Sequence, residues 1–326
     1  MAGNRKNPTR AASSESQYSL MEYIARFPDD ESCLVYLWTT RYAPDGEHAL
    51  CPKCEDVRSF KRYETTQQRQ SWTCTVCGHH IHPTAGTIFH KSSTALHLWF
   101  YALYIMASTR CGVSAKQLER ELGVTYKTAW RMFHLIRNQL MTQDDAPMSG
   151  EVEMDETYVG GKPRASEVAA FSRAGLGAMQ AGQAAGRAKK TAVFGMVERG
   201  GKVAAHVVAP KFQTEAFGYV EARVLPATMI YTDEAAAYTP LASKGYEHKR
   251  IHHATKVYVD GDTHTNTIEG FWSLVKRGIG GSHHAVSAKH LQGYLNEYVW
   301  RYNHRDDAKS MFEQLLLRAA LTTPGA

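Results

Sequence analysis

The sequence predicts an α/β protein in which an α/β domain fills the second half of the chain, behind a cysteine-built module and a helical region. Three observations predict it. Two Cys-x-x-Cys pairs fall within the 27 residues from Cys51 to Cys77. Apolar positions recur at helical spacing from Thr94 to Met141, and beyond residue 150 strand-like segments alternate with helical ones.

A chain of 326 residues, 43% of them hydrophobic, is long enough for two or three domains with full cores. It shows no charged leader followed by an apolar stretch, and no apolar run of the ~18 residues that a membrane span requires. A soluble, cytoplasmic protein with no membrane partner is expected. The formal charge of +6 suits a polyanionic partner, although many enzymes carry as much. Without a leader, paired cysteine spacing favours metal over disulfides.

In chain order, residues 1–17 are polar, lack hydrophobic periodicity and are expected as a disordered tail. Residues 18–50 form a helical lead-in, where Asp29, Asp30 and Glu31 open a helix at the end that favours carboxylates. Residues 51–92 are expected as a zinc ribbon. Cys51 and Cys54 are separated from Cys74 and Cys77 by 19 residues, a spacing that lets two turns bring four thiolates onto one tetrahedral zinc. Four sulfurs close such a site, so the ion builds the fold and His79, His80, His82 and His90 are not expected as ligands.

Residues 93–141 carry a helix-turn-helix pattern. A first helix with Leu118 and Leu122 ends at Gly123, and Thr125 caps a second whose inner face is Ala129, Met132, Phe133 and Ile136. Tyr126, Lys127, Trp130 and Arg131 then stand near its start, where a recognition helix meets bases and phosphates. A plain helical hairpin with a solvated charged face fits the same pattern; the neighbouring ribbon favours DNA.

After a polar linker at 142–150, strand patterns at 151–159, 191–199, 202–209 and 228–232 and helical patterns near 214–223, 266–277 and 287–303 make a domain over 151–315. Residues 316–326 are expected as a tail. Between the first two strands, residues 162–190 hold six basic residues against one acid and are expected as a mobile basic insertion, entered through Gly160 and Gly161.

Three acids stand out in this domain. Alternation places Glu151, Glu153 and Asp155 on one face of a strand and Val152 and Met154 on the other, with Glu156 a bystander. An edge strand with a solvated acidic face fits equally. Asp233 follows the apolar run "ATMIYT", where a helix N-cap would also explain it. In "NTIEGFWSLVKRG", Asn266, Glu269, Trp272 or Ser273, and Lys276 share one helical face, which an exposed amphipathic helix would also show. Glu269 and Lys276 lie two turns, about 10.5 Å, apart. Three carboxylates on two strands and one helix suit two magnesium ions about 3.5–4 Å apart, the clamp that phosphodiester chemistry uses.

The stretches "MDETYVGG", "YTDEAAAY", "NTIEGFWSLVKRG" and "YLNEYVWRYNHR" resemble bacterial insertion-sequence transposases of the Merlin-like, ISXO-type superfamily, from about residue 20 to 315, ribbon included. The resemblance implies an RNase H-like catalytic domain with a DDE triad of Asp155, Asp233 and Glu269, the last two separated by 35 residues. Asn266 is a second choice for the third position. Lys276, with Arg277 beside it, would touch the transposon end. The implied cofactors are two catalytic Mg2+, replaceable by Mn2+, and one structural Zn2+. The implied partner is double-stranded DNA, at the element's terminal repeats and at the target, bound by a homodimer or larger assembly in a bacterial cytoplasm, on the nucleoid. The reaction would free 3′-hydroxyls at the ends and join them to target DNA. Two alternatives remain: a non-catalytic DNA-binding regulator, and a structure-selective nuclease on the same fold.

Overall fold

The computed structural model describes residues 18–63, 70–109, 111–209, 213–233, 241, 243–250, 265–307 and 309–321. The tail expected over 1–17 lies outside them. The chain divides into two compact units, one of residues 1–141 with 304–326 and one of residues 142–303. Among the described residues no helix is long and apolar enough to cross a membrane.

The first unit opens with α1 (Leu20–Arg26) and α2 (Asp30–Arg41). Each starts at a side-chain cap: Ser19 accepts from the amide of Glu22, and Asp29 from that of Ser32. These caps satisfy amides that a helix start leaves open, which is why the acids sit there. Four strands follow, β1 (His48–Cys51), β2 (Asp56–Tyr63), β3 (Ser71–Cys74) and β4 (His80–Ile81), antiparallel in that order. Trp38 of α2 stacks on Trp72 of β3 at 4.7 Å between ring centres, joining this small sheet to the helices. α3 (Leu96–Ser108) is apolar nearly all round and buried accordingly. α4 (Ala115–Leu122) and α5 (Tyr126–Leu135) come next, and α5 runs on into a π-helical turn at Ile136–Leu140.

The second unit is a five-stranded sheet of β5 (Glu151–Val159), β6 (Thr191–Glu198), β7 (Val203–Val208), β8 (Met229–Thr232) and β9 (Glu247–Arg250), in the order β7-β6-β5-β8-β9. β5 pairs antiparallel with β6 and parallel with β8. It is therefore the middle strand, and the edge-strand reading is overturned.

Helices α6 (Ala165–Arg173) and α7 (Ala178–Lys189) connect β5 to β6, and α8 (Gln213–Arg223) connects β7 to β8. The chain continues as α9 (Asn266–Gly278) and α10 (Ala288–Asn303). One face of the sheet packs Met154, Phe194 and Ile230 with Val220 of α8; the other packs Val193 and Val197 with Phe271 and Trp272 of α9 and Leu295 of α10. Sheets covered on both faces bury the middle strand deepest, and that is where the acids at 153 and 155 lie.

Two corrections follow. The stretch 162–190, expected to be structureless, is two helices with Gly175 and Gly177 between them. Its alanines are the strongest helix formers, and Glu167 bonds back to the Arg164 amide at the start of α6, so local propensity suffices although α6 buries nothing. The second concerns the C-terminus. The α/β unit ends at Asn303, and α11 (Met311–Leu321) belongs to the first unit, packed on α2 and α3, where a tail was expected from 316. Phe312 meets Tyr23 and Tyr104 at 5.6 Å, and Leu315, Leu316, Ala319 and Ala320 are buried. An apolar stripe of that period requires a partner, and α3 supplies it.

Candidate functional site

The four paired cysteines meet at one point. Cys51 ends β1 and Cys74 ends β3, and the turn after each carries its partner. The Glu55 amide donates to the Cys51 carbonyl at 2.8 Å, as the Gly78 amide does to that of Cys74 at 3.0 Å. Both turns end in a left-handed residue, Glu55 at φ 54° and Gly78 at φ 72°; glycine takes that conformation freely, glutamate at a steric cost. Cys51 and Cys77 sulfurs lie 3.5 Å apart and those of Cys54 and Cys74 4.0 Å apart. A tetrahedral zinc with bonds of about 2.3 Å requires sulfur separations of about 3.8 Å, so the cluster fits that ion. The Cys77 amide, bonded to the Cys74 sulfur, lowers that thiol toward the thiolate a metal requires, while crowding by the other three sulfurs pushes Cys54 up. Among the described residues it is the only group of three or more Cys, His, Asp or Glu whose ligand atoms all lie within 4.8 Å.

In the two-helix hairpin, Ser114 and Thr125 cap α4 and α5, and Gly123 turns between them at φ 63°. The inner face is Ala129, Met132, Phe133 and Ile136, all buried. Tyr126, Lys127 and Arg131 are exposed on the opposite side. Arg131 lies 5.9 Å from the Trp99 ring centre and Lys116 lies 5.6 Å from that of Tyr126, so both cations rest on aromatic faces.

The acids gather in the second unit. Asp155 lies in the middle of β5 opposite Gly195 of β6. In the parallel pair, Glu153 is level with Tyr231, so two residues further Asp155 comes level with Asp233, just past the end of β8. Glu269 sits in the first turn of α9, where Thr265 Oγ1 donates to its Oε1 at 3.1 Å. The Asp155 carboxyl is pushed up to about 7, first by burial and then by the negative charges of Glu156, Asp233 and Glu269. Those charges therefore act on one small volume, and Glu156 bears on it too.

Along α9 the exposed face carries Asn266, Glu269, Ser273, Lys276 and Arg277, whereas Trp272 is buried. Lys276 and Arg277 occupy the last turn, where cations suit the helix dipole.

Two features escape a reading of the sequence. Glu153 is fully buried, bonded to Arg199 Nε at 2.8 Å and to the amides of Thr267 and Ile268 at 2.8 and 3.0 Å. The signal available was an acid inside a strand flanked by apolar neighbours, but strand alternation alone reads it as a solvated face. The other is Gly195, where a Cβ would run into Cζ2 and Cη2 of Trp272. The indole lies flush on the strand opposite Asp155 because that residue has no side chain. Gly195→Ala is expected to push α9 off the sheet and destabilise the unit by about 1–3 kcal/mol, read as a lowered melting temperature.

Residues 147–303, which contain Asp155, Asp233 and Glu269, match the ISXO2-like transposase domain. The chain is 32% identical over 283 residues to an "Uncharacterized protein in transposable element ISH50" of Halobacterium salinarum, covering 82% of this chain and 91% of that one. It is 29% identical over 101 residues to an "Uncharacterized transposase-like protein" of Haemophilus influenzae, covering 31% of this chain and 80% of that one.

Proposed function

The chain belongs to the ISXO2-like transposase family, and from that premise we propose that it binds the ends of an insertion sequence, cleaves them to free 3′-hydroxyls and joins these to target DNA. The second unit is then an RNase H-like domain, a reading supported by its mixed five-stranded sheet with an acid on the middle strand, one past the neighbouring strand and one on the following helix.

The observation that supports the reaction is the placement of Asp155 on the middle strand, where the parallel register brings it level with Asp233 past β8, with Glu269 in the first turn of the helix packed on that face; the charges of both acids act on the Asp155 carboxyl. Like charges held together in this way favour cation binding. Asp155, in the middle of the central strand, Asp233, just past the end of β8, and Glu269, on the first turn of α9, would hold two Mg2+, with Mn2+ as a substitute. Those ions, when bound, supply activation of water or a 3′-hydroxyl and stabilise the leaving oxygen. Lys276 and Arg277, two turns along the exposed face from Glu269, bind phosphates of the element's end and orient it. One zinc on Cys51, Cys54, Cys74 and Cys77 holds the ribbon. The hairpin grips the terminal repeat through Tyr126, Lys127 and Arg131, and two ends joined in one event call for at least two copies of the chain.

Replacing Lys127 and Arg131 together by alanine is expected to weaken end binding and to lower the slope of log affinity against log salt by about 2, one for each phosphate that the variant no longer neutralises. Binding titrations at several salt concentrations check it. The reaction itself is tested with purified protein, Mg2+ and DNA carrying the element's ends. Nicks leaving 3′-hydroxyls, followed by joining of a pre-cleaved end to a second duplex, are the expected products. A protein that binds the ends and never nicks them is a regulator, and one that nicks without joining is a nuclease.

A further inference from the structure

We infer that Glu153 is the positioning residue that holds Asp233 and Glu269 in place against Asp155, through a network centred on its buried carboxylate that does not itself touch DNA. The inference rests on the function proposed above.

A carboxylate in the middle of a central strand, fully buried, is an expensive choice, since an apolar side chain would fill the space without desolvating a charge. Its partners show what it holds. Glu153 Oε1 accepts from Arg199 Nε at 2.8 Å and from Thr267 Oγ1 at 3.0 Å, and Oε2 accepts from the amides of Thr267 at 2.8 Å and Ile268 at 3.0 Å. These two amides are among the first of α9, so the carboxylate caps that helix from another element and sits at the positive end of its dipole. Arg199 bonds Glu151 Oε2 at 2.7 Å and lies 4.2 Å from the ring centre of Tyr231, whose hydroxyl donates to Glu151 Oε1 at 3.1 Å.

Three elements are thereby tied at one level. β5 contributes Glu153, β8 contributes Tyr231 and α9 contributes Thr267. Each of the three acids stands two residues further along its own element: Asp155, Asp233 and Glu269. In β5 a two-residue step returns to the same face, so Glu153 and Asp155 both look toward α9. In the parallel pair the register carries that level across to Tyr231. The first turn of α9 would otherwise have its amides open and its angle to the sheet set by apolar packing alone. Such a supporting shell keeps reacting groups within fractions of an ångström of their working geometry.

The test compares the wild-type, zinc-loaded full chain with Glu153→Gln and with Glu153→Gln/Arg199→Gln; the double variant also removes the cation that the single one deprives of the Glu153 carboxylate while leaving it that of Glu151. Mn2+ binding is measured by calorimetry, cleavage of end DNA is followed against Mn2+ concentration, and hydrogen exchange is read in a peptide covering 265–272. The expected result is a ~10- to 100-fold loss of cleavage and a ~10-fold weaker Mn2+ affinity, with faster exchange in 265–272, cleavage partly rescued by high Mn2+, and unchanged end binding. Variants that lose melting temperature or DNA binding while keeping wild-type Mn2+ affinity and metal dependence overturn the inference alone. A wild-type chain that neither binds Mn2+ nor cleaves overturns the proposed function, and this inference with it.

Discussion

Asp155→Asn is expected to abolish Mg2+-dependent cleavage of element ends, by at least about 10³-fold, while end binding stays near wild type. In the proposed site this carboxylate would ligate both ions, and an amide in its place carries no charge to hold them. The same substitution has an effect on stability with a defined sign. In magnesium-free buffer the folded-state pKa of Asp155 is raised from 3.8 to about 7, so the folded chain holds a proton that the unfolded chain releases in that interval. Its contribution is most favourable below pH ~4 and is lost as pH rises through about 7, a change of up to ~4 kcal/mol. Asparagine is neutral throughout. The variant should therefore melt higher than the wild type at pH 8 and converge with it toward pH 4, where both forms are uncharged. Saturating Mg2+ should raise the melting temperature of the wild type and leave that of Asp155→Asn nearly unmoved. Equal melting curves at pH 8 would rule out the crowding of charges on which the site rests.

The second large effect concerns the four thiols. One zinc per chain is expected by elemental analysis of freshly purified, reduced protein. Cys51→Ser/Cys54→Ser should remove it and unfold the small sheet of the first unit. Structural zinc sites contribute on the order of 10–16 kcal/mol of apparent binding free energy, far more than a four-stranded sheet of this size provides by packing. Trp72 of that sheet stacks on Trp38, so the loss should appear as a change in tryptophan fluorescence. End binding should weaken with it. The strand-transfer step, supplied with a pre-cleaved end at high protein concentration, should retain its chemistry, because Asp155, Asp233 and Glu269 all lie in the other unit. A chain that contains no zinc yet keeps its ribbon folded would overturn this account.

Much of the second unit was legible in the sequence. Alternation over 151–159 and apolar runs near 191–199, 202–209 and 228–232 correspond to β5 through β8, because a strand with a buried face must repeat every two residues or be apolar throughout. β9 left no such trace. Its sequence, Glu-His-Lys-Arg, is that of an outer strand with little to bury, and only backbone pairing with β8 makes it a strand. Helices α6 and α7 were hidden for a related reason. They bury little, only Ala181 and Ala185 among their described residues, so few large apolar side chains mark them, and their alanine content was the remaining clue. The helical stripe in α11 was visible as periodicity, but nothing local says which core a stripe will join.

By itself the sequence determined the local and the chemical: four cysteines at zinc spacing, a glycine-turned helix pair with its caps, and three acids on segments whose type their neighbours dictate. These follow from short-range rules, side-chain period, capping and ligand spacing, that act over a few residues. Tertiary structure alone decided that β5 lies in the middle of the sheet and that β8 pairs with it in parallel, level enough to bring Asp233 beside Asp155. It also turned Glu153 from an apparently solvated acid into a buried link between the strand and α9. Strand order and register join segments far apart in the chain, and a charge's cost or use depends on what those segments place around it, which no local pattern encodes.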